Sequence, residues 1–273
     1  MTAAADPWSD LRRHTAARIG LARSGASLST GPLLEFQLAH ARARDAVQAP
    51  LDAGRLAADL AGLRQVGFGQ VGLGPPVLSV ASAIEHKQQY LMRPDLGRQL
   101  GPGTAATLAL HAGEYDVVFV VSDGLSARAV QTHAQPVLAA TAPLLQNWRI
   151  APLVIVRYGR VAIGDAVASA LHADCAVVLI GERQGLSAPD SMGAYLTWQP
   201  GAQTTDADRN CISNIRPGGI GYADAAFKLA NLLAAMRARR LSGVRLKDDS
   251  DRLLLGPGEN WLPGLGSNQR HFD

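Results

Sequence analysis

Charged and polar residues directly follow short apolar runs in the second half of the chain. Three such junctions occur: residues 117–121 (VVFVV) before Ser122-Asp123-Gly124, residues 153–156 (LVIV) before Arg157-Tyr158-Gly159-Arg160, and residues 176–180 (AVVLI) before Gly181-Glu182-Arg183. Runs rich in Val and Ile that do not alternate with polar residues are typical of strands buried on both faces of a parallel sheet. Ligands bind outside the carboxyl ends of such strands. One junction alone would be an ordinary turn, but three in succession predict a binding site at one sheet edge.

A second group of polar residues surrounds Cys211, within the long segment 204–226 (TTDADRNCISNIRPGGIGYADAA). We interpret this segment as a loop, and long ordered loops inside compact domains are commonly functional. Cys211 is therefore a candidate for a reactive or ligand-contacting thiol. Cys175, which borders the apolar run 176–180, is expected in the core.

Common catalytic motifs are missing from the sequence. There is no GxSxG, no P-loop and no HExxH, and the seven histidines lack metal-ligand spacing. Gly67, Gly69 and Gly72 match the dinucleotide-binding pattern GxGxxG, but they follow a helical segment and precede two prolines, so we do not assign that function. A pocket without a nucleophile, base or metal is typical of a subunit that holds a cofactor for chemistry carried out elsewhere.

The composition excludes several classes of protein. With 273 residues, 47% hydrophobic and 18% charged, the chain is globular and not disordered. Its apolar runs are far shorter than the roughly 20 residues of a membrane helix, and no secretory signal is visible. Two cysteines and a net charge of +3 give no indication of a disulfide scaffold or of nucleic-acid binding. We therefore expect a cytoplasmic protein with neither a nucleic-acid nor a membrane partner.

The elements that carry the three junctions alternate regularly. The predicted order is strand 117–121, helix 125–147, strand 153–156, helix 163–172 and strand 176–180. This order indicates a βαβαβ unit with right-handed crossovers. A further strand at 195–198 and a helix at 222–241 follow. The predicted fold class is α/β, a Rossmann-like doubly wound, mostly parallel sheet preceded by a helical N-terminal lobe.

The N-terminal lobe is predicted from helical periodicity. We expect helices at 8–23, from Thr30 onwards and at 53–63, with Leu34, Leu38 and Ala41 on one face of the second. Residues 24–32 are expected to form a loop, and residues 77–83 are expected to form a weak strand. Pro94 excludes Arg93 from helical geometry, and the charges of Arg93, Asp95 and Arg98 indicate either a surface turn with local ion pairs or a contact with an anion or a partner. The predicted domains are a lobe at 1–100 with a glycine-rich break at 67–76, a Rossmann-like domain at 101–246, and a mobile tail at 247–273.

Seven runs of this sequence occur together in one known family. They are RHTAARIG at 13–20, FQLAHARARDAV at 36–47, YLMRPDLGR at 90–98, VVSDGLSARAV at 120–130, VRYGRVAIGD at 156–165, LIGERQGL at 179–186 and DRNCISNIRPGG at 208–219. Over about residues 10–246, the chain closely resembles the small subunit (light chain) of ethanolamine ammonia-lyase. The glycine-rich stretch at 67–76 and the tail have no counterpart in that resemblance.

The resemblance implies a function for the chain. The family's enzyme depends on adenosylcobalamin and converts ethanolamine to acetaldehyde and ammonia by radical rearrangement. Its large subunit, a TIM barrel, carries the chemistry, and the small subunit completes the cobalamin site with no catalytic residue or metal ligand of its own. The family's cobalamin contacts correspond to Val161, Glu182 and Cys211. The sequence lacks the DxHxxG motif that supplies a histidine to cobalt, in keeping with a family whose cofactor keeps its own benzimidazole. The implied location is the bacterial cytoplasm, with packaging in the ethanolamine-utilisation microcompartment left open.

Other interpretations remain open at this point. Val161 can also be a core residue, and Glu182 can cap the following helix. The chain as a whole can instead be a structural partner that assembles or solubilises the large subunit, or an independent enzyme that binds a nucleotide at the same strand ends.

Overall fold

The computed structural model of the protein describes residues 8–15, 17–63, 77–182 and 190–250. The helices, in chain order, are α1 (Ser9–Arg12), α2 (Thr30–Gln48), α3 (Ala53–Ala61), α4 (Lys87–Met92), α5 (Thr104–Ala109), α6 (Ala127–Thr141), α7 (Ile163–Leu171) and α8 (Tyr222–Arg239). The strands are β1 (Arg23–Ser24), β2 (Ser27–Leu28), β3 (Leu78–Ala81), β4 (Tyr115–Ser122), β5 (Val154–Arg157), β6 (Ala173–Gly181), β7 (Met192–Trp198) and β8 (Arg209–Ile215). Short 3-10 turns lie at Leu96–Arg98, Ala142–Leu145, Asp206–Asp208 and Gly243–Arg245.

The main sheet has six strands in the order β3-β5-β4-β6-β7-β8. The pairs β3–β5, β4–β5 and β4–β6 are parallel, whereas β6–β7 and β7–β8 are antiparallel. The α/β class is confirmed, but the sheet is mixed, and the Rossmann-like doubly wound arrangement is not confirmed. The direction of β7 has a simple cause: β6 ends at Gly181 and β7 begins at Met192, too close for the helical crossover that a parallel neighbour needs.

The central strands are buried on both faces, as their unalternating sequences predict. Along β4, Val117, Phe119 and Val121 pack into one apolar cluster with side chains of α3, α6 and α8. Val118 and Val120 pack into a second cluster with side chains of α5 and α7. Helices therefore cover both faces, and successive residues of one strand stabilise two separate cores.

The N-terminal part differs from the prediction. The helix expected at 8–23 is only α1, and the loop expected at 24–32 contains strands β1 and β2, which pair antiparallel around Gly25 (φ 61°). Helix α2 begins at Thr30 as predicted. However, Leu34 and Leu38, expected on a buried face, are 58% and 51% exposed. Ala41 on the same face is half-buried, so the described residues leave the two leucines of this face largely uncovered.

The strand expected at 77–83 and the loop expected at 204–226 also differ from the prediction. Residues 77–83 do form a strand, β3, but it pairs with β5 in the main sheet, although it precedes the predicted boundary at residue 100. The three-domain division itself stays a prediction. The polar segment 204–226 is not one loop, because it contains β8. The whole glycine-rich stretch 67–76 and the part of the tail beyond residue 250 lie outside the described residues.

None of the helices within the described ranges combines the length and apolar character needed to cross a membrane.

Candidate functional site

The three polar junctions meet at one edge of the sheet. In the parallel ladder, Ser122 at the end of β4 lies opposite Val156 on β5 and Ile180 on β6. The three strands therefore end side by side, as expected from their sequences, and the residues that follow them form one continuous surface.

The turn after β5 is held by the end of β4. Tyr158 adopts a left-handed backbone conformation (φ 58°), which is unfavourable for a bulky side chain. Its N–H donates to Oδ1 of Asp123 at 2.7 Å, and the N–H of Gly159 donates to Oγ of Ser122 at 3.0 Å. These two bonds stabilise the turn, so the polar end of β4 positions the residues after β5.

The buried Asp123 and the half-buried Lys87 interact electrostatically behind this turn. Burial raises the pKa of Asp123 above its usual value, and the nearby Lys87 opposes that rise. Burial likewise lowers the pKa of Lys87, although Asp123 raises it. The Lys87 ammonium donates to the carbonyl oxygen of Gly124 at 3.0 Å. Lys87 and Asp123 therefore interact with other groups of the protein, and they stabilise the turn that carries the site.

Arg160 lies at the centre of the surface. Its guanidinium lies 4.0 Å from the centroid of the Tyr90 ring, and its Nη2 donates to the carbonyl oxygen of Tyr90 at 2.9 Å. Its backbone N–H donates to the carbonyl oxygen of Gly97 at 2.7 Å. A Cβ at Gly97 would lie 2.8 Å from Cγ of Arg160, so this close approach of the turn Leu96–Arg98 requires glycine.

Glu182 follows β6 and is held by β8. Its N–H donates to the carbonyl oxygen of Ser191 at 3.0 Å. Oε1 accepts a hydrogen bond from the Ser213 hydroxyl at 2.5 Å, and Oε2 accepts one from the N–H of Asn214 at 3.1 Å. The carboxylate is thus fixed in one orientation. Residues 183–189, which follow Glu182, lie outside the described residues, so the alternative in which Glu182 caps a following helix stays a prediction.

Cys211 lies on β8, opposite Tyr195 on β7, and not in a loop. Cys211 as a residue is exposed, but desolvation of its thiol by neighbouring groups raises the thiol pKa. A hydrogen bond with the Tyr195 side chain lowers this pKa and the charge of Glu182 raises it, with a net increase. The thiol is therefore protonated at neutral pH, which argues against the reactive thiolate considered from the sequence. Cys175 is fully buried, as predicted, and burial raises its pKa to about 12.

Two adjoining cavities open onto this surface. The first, about 370 Å³, is lined by Pro94, Arg98, Arg160, Val161, Ala162, Tyr195, Asp206, Arg209 and Cys211. The second, about 410 Å³, is lined by Tyr90, Leu125, Arg160, Val161, Ile180, Gly181, Glu182, Tyr195 and Ser213. The three residues expected from the sequence therefore lie on one surface, with Val161 shared by both cavities. Because Val161 lines both, it is not purely a core residue.

Several lining residues were not predicted. Arg160 belongs to a junction that the sequence did identify, and Arg98 to a segment rich in charge, so each had a signal. Tyr195 had none, because its place beside Cys211 depends on the antiparallel register of β7 and β8.

The arrangement provides binding groups and no evident catalytic group. Within the described ranges, no three His, Cys, Asp or Glu side chains cluster closely enough to hold a metal ion. The cavities combine apolar side chains with guanidinium, carboxylate and hydroxyl groups, a combination suited to a large ligand with an apolar body and a polar rim.

Comparison with known proteins gives a consistent result. A family model described as ethanolamine ammonia-lyase light chain (EutC) matches residues 5–247. Proteins named ethanolamine ammonia-lyase small subunit are 48% identical in Ralstonia nicotianae, over 94% of both chains, and 48% identical in Azotobacter vinelandii, over 96% of this chain and 97% of the relative. A relative of the same name in Xanthomonas campestris is 49% identical, over 92% of this chain and 91% of its own length. The chain therefore belongs to the ethanolamine ammonia-lyase light-chain family, and it is a subunit of a carbon–nitrogen lyase.

Proposed function

We propose that this chain completes the adenosylcobalamin site of a two-subunit ethanolamine ammonia-lyase. In this proposal the large subunit binds ethanolamine and carries the radical chemistry that yields acetaldehyde and ammonia. The observation that carries the proposal is the convergence of Val161, Glu182 and Cys211 on two adjoining cavities at one sheet edge. The name small subunit, shared by the relatives, implies a large partner.

The chemistry of the surface fits a corrin. A corrin has an apolar macrocycle with carboxamide side chains, which both donate and accept hydrogen bonds. Val161, Leu125 and Ile180 offer apolar contacts. Each oxygen of Glu182 accepts one hydrogen bond within the chain, and each keeps a lone pair that can accept another from a carboxamide N–H.

The size of the two cavities and the protonation of the Cys211 thiol also support a cofactor site that is shared with the large subunit. Both cavities are smaller than a corrin, so this surface would form one wall and the large subunit the other. Adenosylcobalamin, when bound, supplies the radical chemistry, while the residues of this chain bind and orient it. A protonated Cys211 is a poor ligand for a metal ion, so we assign it a contact with the corrin and no bond to cobalt. We further propose a location in the bacterial cytoplasm, with the ethanolamine-utilisation microcompartment as the compartment to examine.

Replacing Glu182 tests this proposal. In the complex with the large subunit, Glu182→Ala is expected to weaken hydroxocobalamin binding by about tenfold or more, since a hydrogen bond to a charged group contributes about 1.5–3 kcal/mol. Binding is measured by titration of the visible spectrum. The matched control is Glu114→Ala, because Glu114 is 91% exposed and precedes β4 at the opposite edge of the sheet. Equal affinities in wild type and Glu182→Ala would contradict the assigned role.

The alternative function is structural: the chain would assemble or solubilise the large subunit and make only incidental contact with the cofactor. The exposed apolar residues of α2 favour a protein partner under either function. Assembly of the two subunits with no gain in cobalamin affinity over the large subunit alone would support this alternative.

A further inference from the structure

The first cavity, of about 370 Å³, carries more positive than negative charge. Among the described residues, its lining includes three guanidinium groups, Arg98, Arg160 and Arg209, and a single carboxylate, Asp206. Arg209 is already neutralised, because Asp165 accepts two hydrogen bonds from it at 2.7 Å each and Asp206 lies 3.4 Å away. The remaining two arginines have no such partners.

Arg160 and Arg98 leave donors unused. Within the described part of the chain, Arg160 forms no ion pair, and its Nε is buried with no hydrogen-bond partner. The Arg98 side chain is exposed and has neither an ion pair nor a hydrogen bond there. Guanidinium groups that line a cavity without an ion pair favour an anionic ligand with several acceptor oxygens.

The fold holds these two arginines next to each other. Arg98 is the last residue of the turn Leu96–Arg98, and this turn is locked to Arg160 by the 2.7 Å hydrogen bond from the Arg160 N–H to the Gly97 carbonyl oxygen. Tyr90 fixes the guanidinium of Arg160 through ring contact and a hydrogen bond. The arginines are therefore contributed by two elements whose relative position is fixed before any ligand binds.

We propose that the first cavity binds a phosphate group through Arg98 and Arg160. The preferred source of this phosphate is the phosphodiester in the nucleotide loop of a cobalamin, which is the anionic group of that molecule. For that source, the inference rests on the proposed function. A free phosphate has the same chemistry and is the other source. With the phosphodiester in the first cavity, the corrin would extend over Val161 towards Glu182 in the second.

A comparison of two corrinoids tests the proposal. Hydroxocobalamin and aquocobinamide share the corrin, but cobinamide lacks the nucleotide loop and its phosphodiester. In the two-subunit complex, Arg98→Gln is expected to weaken hydroxocobalamin binding about tenfold, the usual effect of one charge-assisted contact, and to leave cobinamide binding unchanged. Arg93→Gln is the matched control: Arg93 lies in the same segment, is exposed, pairs with Asp95 at 2.7 Å and does not line either cavity.

Inorganic phosphate distinguishes the two sources. If the site takes free phosphate, Arg98→Gln leaves both corrinoid affinities unchanged, and phosphate raises the unfolding temperature of the wild-type complex but not that of Arg98→Gln. An equal loss for both corrinoids, or no effect on either corrinoid or on phosphate stabilisation, would overturn the proposal. Failure of the proposed function is recognised separately, since the complex would then bind hydroxocobalamin no better than the large subunit alone.

Discussion

The ion pair between Arg209 and Asp165 connects the edge of the sheet to the helix beneath the site. Arg209 begins β8, and Asp165 lies in the first turn of α7. Both oxygens of Asp165 accept hydrogen bonds of 2.7 Å, and Oγ1 of Thr197 accepts another at 3.0 Å. The side chains are 3% and 12% exposed. Burial alone would lower the pKa of Arg209, but Asp165 and Asp206 outweigh burial and raise it.

We expect Asp165→Asn to destabilise the protein strongly. Removing one partner of a buried pair costs about 3–5 kcal/mol, because the other charge stays buried without compensation. Arg209 keeps Thr197 and the exposed Asp206 as partners, so we expect the lower end, about 3 kcal/mol. In urea this loss shifts the unfolding midpoint by about 1–2 M, measured by circular dichroism on the full-length chain.

Two further variants test whether the loss of stability comes from the buried charge that is left without a partner. The double variant Asp165→Leu with Arg209→Met removes both charges and is expected to be more stable than Asp165→Asn, because no charge is left buried. Arg93→Gln, which breaks an exposed pair, is expected to unfold at a urea concentration close to that of the wild type, because solvent screens exposed pairs. The reasoning is refuted if Asp165→Asn unfolds at the wild-type urea concentration, or if the double variant is the least stable of the three.

Three other changes test separate parts of the fold. Gly181→Ala would place a Cβ 2.2 Å from a backbone oxygen of the neighbouring loop, so we expect a loss of at least about 2 kcal/mol in urea unfolding; Gly201→Ala, with open space around it, should change little, and equal effects would contradict the packing. Burial lowers the pKa of His133 below 6.5, so the unfolded chain binds more protons and stability falls as pH drops through 6.5. His133→Gln should reduce that fall, and an unchanged pH profile of stability would argue against it. Replacing both Leu34 and Leu38 by Gln should weaken assembly with the large subunit in gel filtration without altering the circular dichroism of the free chain; unaltered assembly would show that this face of α2 is not used.

The central strands could be predicted because their sequences have one physical cause. Residues 117–121 and 176–180 are continuous apolar runs, and only burial on both faces of a sheet accommodates them at that length. Turns after them follow from Gly, Asp and Ser. The alignment of the three strand ends then follows from parallel pairing.

Strand β8 could not be predicted in the same way. Its sequence, RNCISNI, does not alternate, since Arg209, Ile212 and Ile215 are buried while Cys211 is exposed. A register irregularity opposite Met192 and Ala194 disrupts the period of two, so the polar residues were interpreted as a loop. The buried Arg209 further conceals the strand, because its burial depends on Asp165, which is 44 residues away.

In the candidate site, too, some residues could be predicted from the sequence and others could not. Glu182 follows a predictable strand, so its place at the sheet edge could be anticipated, and its assignment as a cofactor contact came from the family resemblance. Tyr195 could not be anticipated, because its place depends on an antiparallel register. The charged segment of Arg98 gave a signal, but the place of Arg98 beside Arg160 could not be anticipated, because it depends on the packing of Gly97 against Arg160. The predicted apolar face of α2 was correct as a pattern, but the described part of the chain does not cover it, and helical periodicity alone cannot distinguish a core from a protein interface.

The most direct test of the account is the affinity for hydroxocobalamin of the large subunit alone and of the large subunit assembled with this chain. The account predicts that the complex binds the corrinoid at least about tenfold more tightly, and that Glu182→Ala removes most of that gain while Glu114→Ala does not. Equal affinity of the large subunit with and without this chain, in complexes shown to be assembled, would contradict a cofactor-binding role for the surface around Val161, Glu182 and Cys211.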